Sequence, residues 1–400
     1  MSIISTIFKM KKILLLAAMI GAALSVKAQQ SKIDRTILFI IDGIHWQAPD
    51  KLDMPVFNNL TKEGTYIQKS YVIIPHHPTT GDYSKYNTSS FPNPVMQEGT
   101  LFLSPENKMI QEYFWPAKKT AFIVNMPTAY RSLGRGFSTL IMDGSLSDRQ
   151  AVEKSIEVLK QDDPSFMRIH LQSAGTEGYK IAQATPDKPY YKNIYGKESP
   201  YVAAIEEADK ALGLLVKYLK ESNKWENTLL IVTSDHGQSL VGWHPLFEEE
   251  SWITPTIFIG PSIAKGHKLS YFEHTDIAPT IAGLTNVENY EINGGSGRFV
   301  EEMLASQPSE TYASKEYVKI FNRQIKEYNM LRAKMIVASE KDASFTNMVA
   351  LLENETFIQP FYTQDRVTEW HLAGDMDKLL DANEKVLEKM RAVASTIPKK

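Results

Sequence analysis

The chain has 400 residues, 43% of them hydrophobic and 23% charged, with 21 glycines and 20 prolines. That composition can bury a large core and excludes intrinsic disorder, collagen and coiled coil. The absence of cysteine excludes a disulfide scaffold, a thiolate metal site and a cysteine nucleophile, and a formal charge of −3 leaves no basic footprint for a nucleic-acid-binding module.

Lys9, Lys11 and Lys12 precede an apolar stretch from Ile13 to Val26, closed by the small residue Ala28 before Gln29. A positive flank, a short apolar segment and a small boundary residue predict a secretory signal peptide over residues 1–28. At about fourteen residues the stretch is shorter than the roughly twenty a spanning helix needs. Its removal leaves 40 basic against 47 acidic residues, a net charge of −7. No cysteine follows to carry a lipid, so the expected product is an exported, periplasmic protein without a membrane anchor.

Arg35–Ile41 (RTILFII) is a continuous run rich in β-branched residues that ends in Asp42-Gly43, the pattern of a buried parallel strand. Pro55–Glu63 reads as a helix, Thr120–Val124 as a second strand, Asp148–Leu159 as a helix and Phe166–Leu171 as a third strand. Tyr201–Leu219 is the longest helical pattern, with Ala204, Ala208, Leu212, Leu215 and Leu219 on one face. Thr228–Thr233 and Thr256–Gly260 are further strands, and Ile277–Leu284 a short helix. Strands alternating with helices predict an α/β fold, a mainly parallel central sheet sandwiched by helices. After Gln307 the only glycine is Gly374, and Glu, Lys, Ala, Met and Leu dominate. The expected organisation is therefore one large α/β domain over residues 29–306 and a mostly helical extension over residues 307–400. Its amphipathic stretch Met376–Val393 is expected to cap the main domain or to make a homodimer contact.

Ligands of such sheets bind beyond the carboxyl ends of the strands, so the polar residues there carry the functional signal. Asp42 follows the first strand directly, and Ser234-Asp235-His236-Gly237 follows the fourth in the same way. Two carboxylates and an imidazole on rigid strand ends suit a divalent cation.

With these residues in view, the sequence resembles the type I phosphodiesterase and nucleotide pyrophosphatase branch of the alkaline phosphatase superfamily, which is related to the sulfatases. The resemblance runs through Ile40-Ile41-Asp42-Gly43-Ile44-His45-Trp46, Met54-Pro55-Val56-Phe57, Leu60–Gly64, Ala208-Asp209, Thr233–Gly237 and Phe258–Pro261, and spans residues 35 to 300. It implies the alkaline phosphatase-like fold and a metal-dependent hydrolase of phosphate esters, diesters or pyrophosphate bonds. Asp42, Asp235 and His236 would hold one cation, expected to be zinc.

The family's nucleophile is a hydroxyl at a helix start. Ser90-Phe91-Pro92-Asn93-Pro94 resembles the family's Thr-Phe-Pro-Asn-His segment and places Ser90 at the attacking position, with Thr80, in Pro78-Thr79-Thr80-Gly81, as its rival. A serine hydroxyl attacks at neutral pH only when a metal or base activates it. Asn107 sits near the position where the family holds an asparagine against phosphoryl oxygens. For the second cation the family uses an Asp-x-x-Gly-His segment and a later histidine. His244, in Gly242-Trp243-His244, matches the later one, but Gln172 stands in place of the aspartate and Thr176 in place of the first histidine. The centre is thus expected to hold one or two ions, with His170, Glu177 or His274 as nearby groups that would compensate.

The expected partner is a small-molecule phosphate ester. Two alternatives remain open on the sequence: a sulfatase-like hydrolase of sulfuric esters, or a catalytically degenerate exported binding protein. Sulfatases carry a modified Cys or Ser within Cys/Ser-x-Pro-x-Arg, and no such arginine motif occurs here.

Overall fold

The strand predicted over residues 35–41, β1 (Arg35–Ile41), is buried along its whole length. The computed structural model describes residues 33–73, 108–114, 116–126, 131–245, 248–291, 297–348, 369–370 and 372–398. All of them fall in the unit Ile33–Lys400. The segment read as a signal peptide, residues 1–28, lies outside the described residues. Among them no helix is long and apolar enough to cross a membrane.

β1 is the centre of a nine-stranded sheet formed with β2 (Thr65–Tyr71), β3 (Thr120–Val124), β4 (Thr139–Met142), β5 (Phe166–Leu171), β6 (Thr228–Thr233), β7 (Ile253–Ile259), β8 (His267–Lys268) and β9 (Phe272–Glu273). The order is β4-β3-β5-β1-β6-β7-β2-β8, with β9 also paired to β2. From β4 to β6 every pairing is parallel. β7 runs against both β6 and β2. The reason lies in the connection: parallel neighbours need a crossover, usually a helix, whereas among the described residues of 234–252 a single-turn 3-10 helix, Glu249–Trp252, is the only helical element.

Alternate residues of the strands feed opposite cores. Ile37, Phe39 and Ile41 face one cluster with Ile123, Ile169, Leu230 and Val232. Leu38 and Ile40 face the other, with Phe122, Phe166, Leu229 and Ile231. The first core is covered by α1 (Pro55–Glu63), α2 (Asp148–Gln161), α3 (Ser173–Ala182) and α4 (Pro200–Glu221), through residues such as Phe57, Leu60, Leu159, Ile181, Leu212 and Leu215. α5 (Ile277–Thr285) and the start of α6 (Tyr317–Ser339) cover the second with Ile277, Ile281, Phe321 and Ile325.

Local sequence explains the helix starts. Ser147 and Gln150 form a reciprocal capping box at α2. α1 opens with Pro55, and its first-turn N–H groups of Val56 and Phe57 donate to the buried carboxylate of Asp209 on α4, at 3.0 and 2.8 Å. In the C-terminal segment α6 pairs with α7 (Asp377–Ser395) through Tyr328, Met335, Leu387 and Met390.

Candidate metal centre

β5, β1 and β6 are adjacent in the sheet, so their carboxyl ends bring Gln172, Asp42 and Asp235 together from positions up to 193 residues apart in sequence. Asp42 is pinned by its backbone N–H, which donates to Leu171 O at 2.8 Å. Gly43 then takes φ +66°, a turn that glycine makes without a steric penalty. Its N–H donates to Asp235 Oδ1 at 3.2 Å, and the next one, of Ile44, donates to Ser234 Oγ at 3.0 Å. The first and fourth strand ends of the sequence reading are thus stitched together through backbone donors.

His236 completes the group. Its Nδ1 is 2.7 Å from Gly237 O, and a carbonyl only accepts, so Nδ1 carries the proton and Nε2 keeps a lone pair. Nε2 lies 3.5 Å from both Asp42 Oδ1 and Asp235 Oδ2. A ring whose other nitrogen is tied to a backbone carbonyl is the usual state of a metal-bound histidine. Ligand atoms of Asp42, Asp235 and His170 also lie within 4.8 Å of one another. Burial, and next the charge of Asp235, push the Asp42 carboxyl well above the usual carboxylate range, against the Gln172 amide that donates to it. Two buried carboxylates and an imidazole lone pair drawn together in this way fit a divalent cation, which is the group that relieves their mutual repulsion.

Gln172 ends β5 and starts α3. Its Nε2 is 2.7 Å from Asp42 Oδ2 and 2.9 Å from His170 Nε2. His170 points from β5 beside Arg168, whose Nη2 is 3.3 Å from His170 Nδ1. Burial lowers the His170 imidazole to about pKa 3, with Arg168 and His236 adding to that and Asp235 opposing it. Gln172 N–H donates to Asn125 Oδ1, and Asp148 Oδ1 accepts from both Asn125 and Ser173, so a buried polar network fixes the start of α3. Thr176, one turn on, is exposed, and Glu177 is half-buried with Lys180 as its partner.

His244 is placed next to His236, with ring centroids 4.1 Å apart, and stacks on Trp243 at 3.9 Å. Trp243 adopts φ +63°, an uncommon conformation for a bulky residue, and its ring packs on Tyr179 of α3. His274 Nε2 is 3.1 Å from Ser70 Oγ of β2, at one end of a hydroxyl ladder that continues to Thr256 and Thr233. Asp42, Gln172, Asp235, His236 and His244 are neighbours, and the far end of the His274 ladder, Thr233 Oγ1, lies 3.4 Å from Ser234 O. Ser90, Thr80 and Asn107 lie outside the described residues.

Three features were not singled out by the sequence reading. α3 as a helix is one. The second is the glycine pair Gly175 and Gly178 on it: a Cβ at Gly175 would lie 1.6 Å from Asp42 Oδ1, and one at Gly178 2.1 Å from Gln238 Nε2. Glycines three apart in a segment following a strand were the available signal. The third is Gln238, fully buried against Gly43 and Gly178.

A family model described as sulfatase matches residues 70–287. Choline-sulfatase of Rhizobium meliloti is 28% identical over 138 residues, 34% of this chain and 25% of that protein. Human ectonucleotide pyrophosphatase/phosphodiesterase family member 5 is 23% identical over 270 residues, 62% of this chain and 53% of that protein. The chain thus spans a quarter to about half the length of these curated relatives. A solved structure described as a complex with its substrate D-glucosamine-2-N,6-O-disulfate superposes with a TM-score of 0.55 at 16% identity, covering 70% of this chain and 81% of that one. At that identity the likeness establishes the fold.

Proposed function

The chain belongs to the sulfatase family within the alkaline phosphatase superfamily of hydrolases, and from that premise we propose that it hydrolyses phosphate esters, diesters or pyrophosphate bonds, with a divalent cation. The observation that carries the reading is the convergence of Asp42, Asp235 and the His236 Nε2 lone pair at three neighbouring side chains on two adjacent strand ends. These three would hold the cation, for which we propose zinc. When bound, it supplies positive charge and lowers the pKa of a hydroxyl at neutral pH.

Ser90 is the proposed nucleophile. Its hydroxyl proton passes to solvent as its oxygen attacks phosphorus in line, and the ester oxygen leaves with its electron pair as the P–O bond breaks. His244, packed against His236, is the proposed donor of a proton to that leaving oxygen. Water then attacks the phosphoseryl group, which returns the serine hydroxyl and releases the phosphoryl group with any ester substituent it still carries, a phosphomonoester from a diester and phosphate from a monoester. The net negative charge of the chain does not draw an anionic ester, so the attraction is local to the centre.

Sulfuric ester hydrolysis is the second reading, favoured by the choline-sulfatase relative. Against it stands Ser90-Phe91-Pro92-Asn93-Pro94, which lacks the arginine of the sulfatase motif. Turnover of a nitrophenyl phosphodiester and a nitrophenyl sulfate separates the two. The proposal expects phosphodiester cleavage that disappears in Ser90→Ala with the fold intact. Turnover of the sulfate alone transfers the assignment to the second reading, and unchanged activity in Ser90→Ala moves the nucleophile to Thr80.

A further inference from the structure

Among the described residues, Trp46, Trp225, Trp252 and Trp370 all pack in or against an apolar core. Trp243 does not, nor do Leu240 and Val241 of the same turn, nor Tyr179 of α3, whose ring lies 4.6 Å from that of Trp243. Leu240, Val241 and Tyr179 are 37%, 38% and 42% exposed, and Trp243 is half-buried. Isolated apolar residues on a surface are ordinary, but four on one turn and the helix bonded to it make a patch that the cores do not use. The patch is held firmly. Ser239 N–H donates to Trp243 O at 2.9 Å and Trp243 N–H to Gly178 O at 3.1 Å, which closes the turn and fixes it to α3. Leu240 N–H donates to Glu250 Oε2 at 3.3 Å, and its carbonyl accepts from Ile194 N–H at 2.9 Å. Gly242 lies so close to α3 that a Cβ there would be 2.5 Å from Ala182 N and 2.6 Å from Gly178 O. Within this frame Trp243 keeps φ +63°, and strain of that kind persists where the surroundings fix it, often at ligand clamps.

The same patch reaches the centre. The His244 ring is 3.9 Å from Trp243 and 4.1 Å from His236, so Tyr179, Trp243, His244 and His236 run in contact from an exposed surface to the carboxylates of Asp42 and Asp235. An ester oxygen protonated by His244 has that ring beside it, and the next rings in contact are Trp243 and then Tyr179. Flat rings hold flat rings best, because the negative face and positive edge of each add offset and edge contacts to what apolar area supplies. We propose, resting on the hydrolase reading above, that Tyr179 and Trp243 form the subsite for the leaving group and that this group carries an aromatic ring. Both act on specificity, through the part of the ester beyond the bond that breaks. The patch then has a use that explains its exposure, its rigid turn and its place beside His244.

The test is calorimetric titration of the full chain, loaded with zinc, with methylphosphonate, cyclohexylphosphonate and phenylphosphonate. All three offer the same anion to the cation and differ only in the group beside it. Phenylphosphonate should bind about tenfold or more tighter than methylphosphonate, the effect of stacking one ring on an aromatic side chain. It should also bind about threefold or more tighter than cyclohexylphosphonate, which is as large but not flat. Tyr179→Ala should lose most of the phenyl preference and Tyr179→Phe should keep it, with methylphosphonate bound alike by all three proteins. Trp243→Gly, in which glycine takes the left-handed backbone without steric cost, should lose the preference while still binding methylphosphonate. Equal affinity for the three phosphonates in the unaltered chain overturns the inference, as does cyclohexylphosphonate binding as tightly as phenylphosphonate, or a phenyl preference intact in both Tyr179→Ala and Trp243→Gly. Each of these results leaves the cation reading standing. A zinc-loaded chain that binds none of the three overturns the inference and the hydrolase reading together.

Discussion

Gly175 is the position where one added carbon tests the geometry of the centre. In α3 a Cβ at this residue would lie 1.6 Å from Asp42 Oδ1 and 2.5 Å from its Cγ. Ordinary contact begins near 3.4 Å, so the carboxylate must retreat by more than 1.5 Å or the helix must move. The backbone of Asp42 is held by its bond to Leu171 and by the turn at Gly43, which leaves rotation of the side chain as the easier response. A site of this kind tolerates about 0.5 Å, and a misplacement of about 1 Å costs on the order of 100-fold. Gly175→Ala should therefore lower both cation affinity and turnover by at least about 100-fold. Stability should suffer less, because alanine gains up to about 1 kcal/mol of helix propensity over glycine. The control is Gly178→Ala, one turn on, whose Cβ meets the end of the Gln238 side chain rather than Asp42. Titration and a turnover assay on both variants, with thermal melts, make the comparison. Wild-type affinity in Gly175→Ala, or equal losses in the two variants, would refute the reasoning.

Asp209→Ala strips the acceptors from two N–H groups at the start of α1. At about 1–3 kcal/mol for a buried group left unsatisfied, with the Phe57 N–H buried and the Val56 N–H part-buried, denaturant unfolding should show a loss of about 1–3 kcal/mol or more; a loss below about 1 kcal/mol contradicts the capping role. His45 is fully buried, its Nδ1 facing the Gln47 N–H and the Tyr195 hydroxyl, and burial, with Lys51 adding, lowers its pKa to about 4. The unfolded chain takes up this proton below about pH 6.5 and the folded one refuses it until about pH 4. Stability is thus complete above pH 6.5 and falls with decreasing pH across that window, by about 3 kcal/mol in all. Stability curves of the unaltered protein and His45→Gln should converge toward low pH as this penalty vanishes in the variant; parallel curves would show that His45 does not carry it.

The middle of the sheet was legible because β1, β5 and β6 are covered on both faces. Their apolar runs end where burial by helices ends, so Asp42 and Asp235-His236 could be read as strand-end residues, while Gln172 was reached only through the family resemblance. The edge was harder. β2 (TYIQKSY) carries a bulge between Ile67 and Ser70 that exposes Gln68, and this breaks the alternation by which a strand is recognised. β4 is four residues long and partly exposed. The segment Thr256–Gly260 was read as a strand, but its direction depends on the length and form of a connection, which composition does not record. α3 was missed because two glycines lower its helix propensity, and those glycines are there to admit Asp42 and Gln238, partners distant in sequence. His170 was read as a nearby group that would compensate for the replaced ligands; its pairing with Arg168 and Gln172 is set by the fold and leaves no mark in the sequence. The helical tail was readable from its content, and α6 and α7 occupy part of it.

Crystals grown with zinc chloride and measured across the zinc absorption edge test the central claim most directly. The account predicts one anomalous peak per chain, bounded by Asp42, Asp235 and His236. Zinc-soaked crystals with no peak there, and with the two carboxylates and the imidazole in unchanged positions, would contradict it.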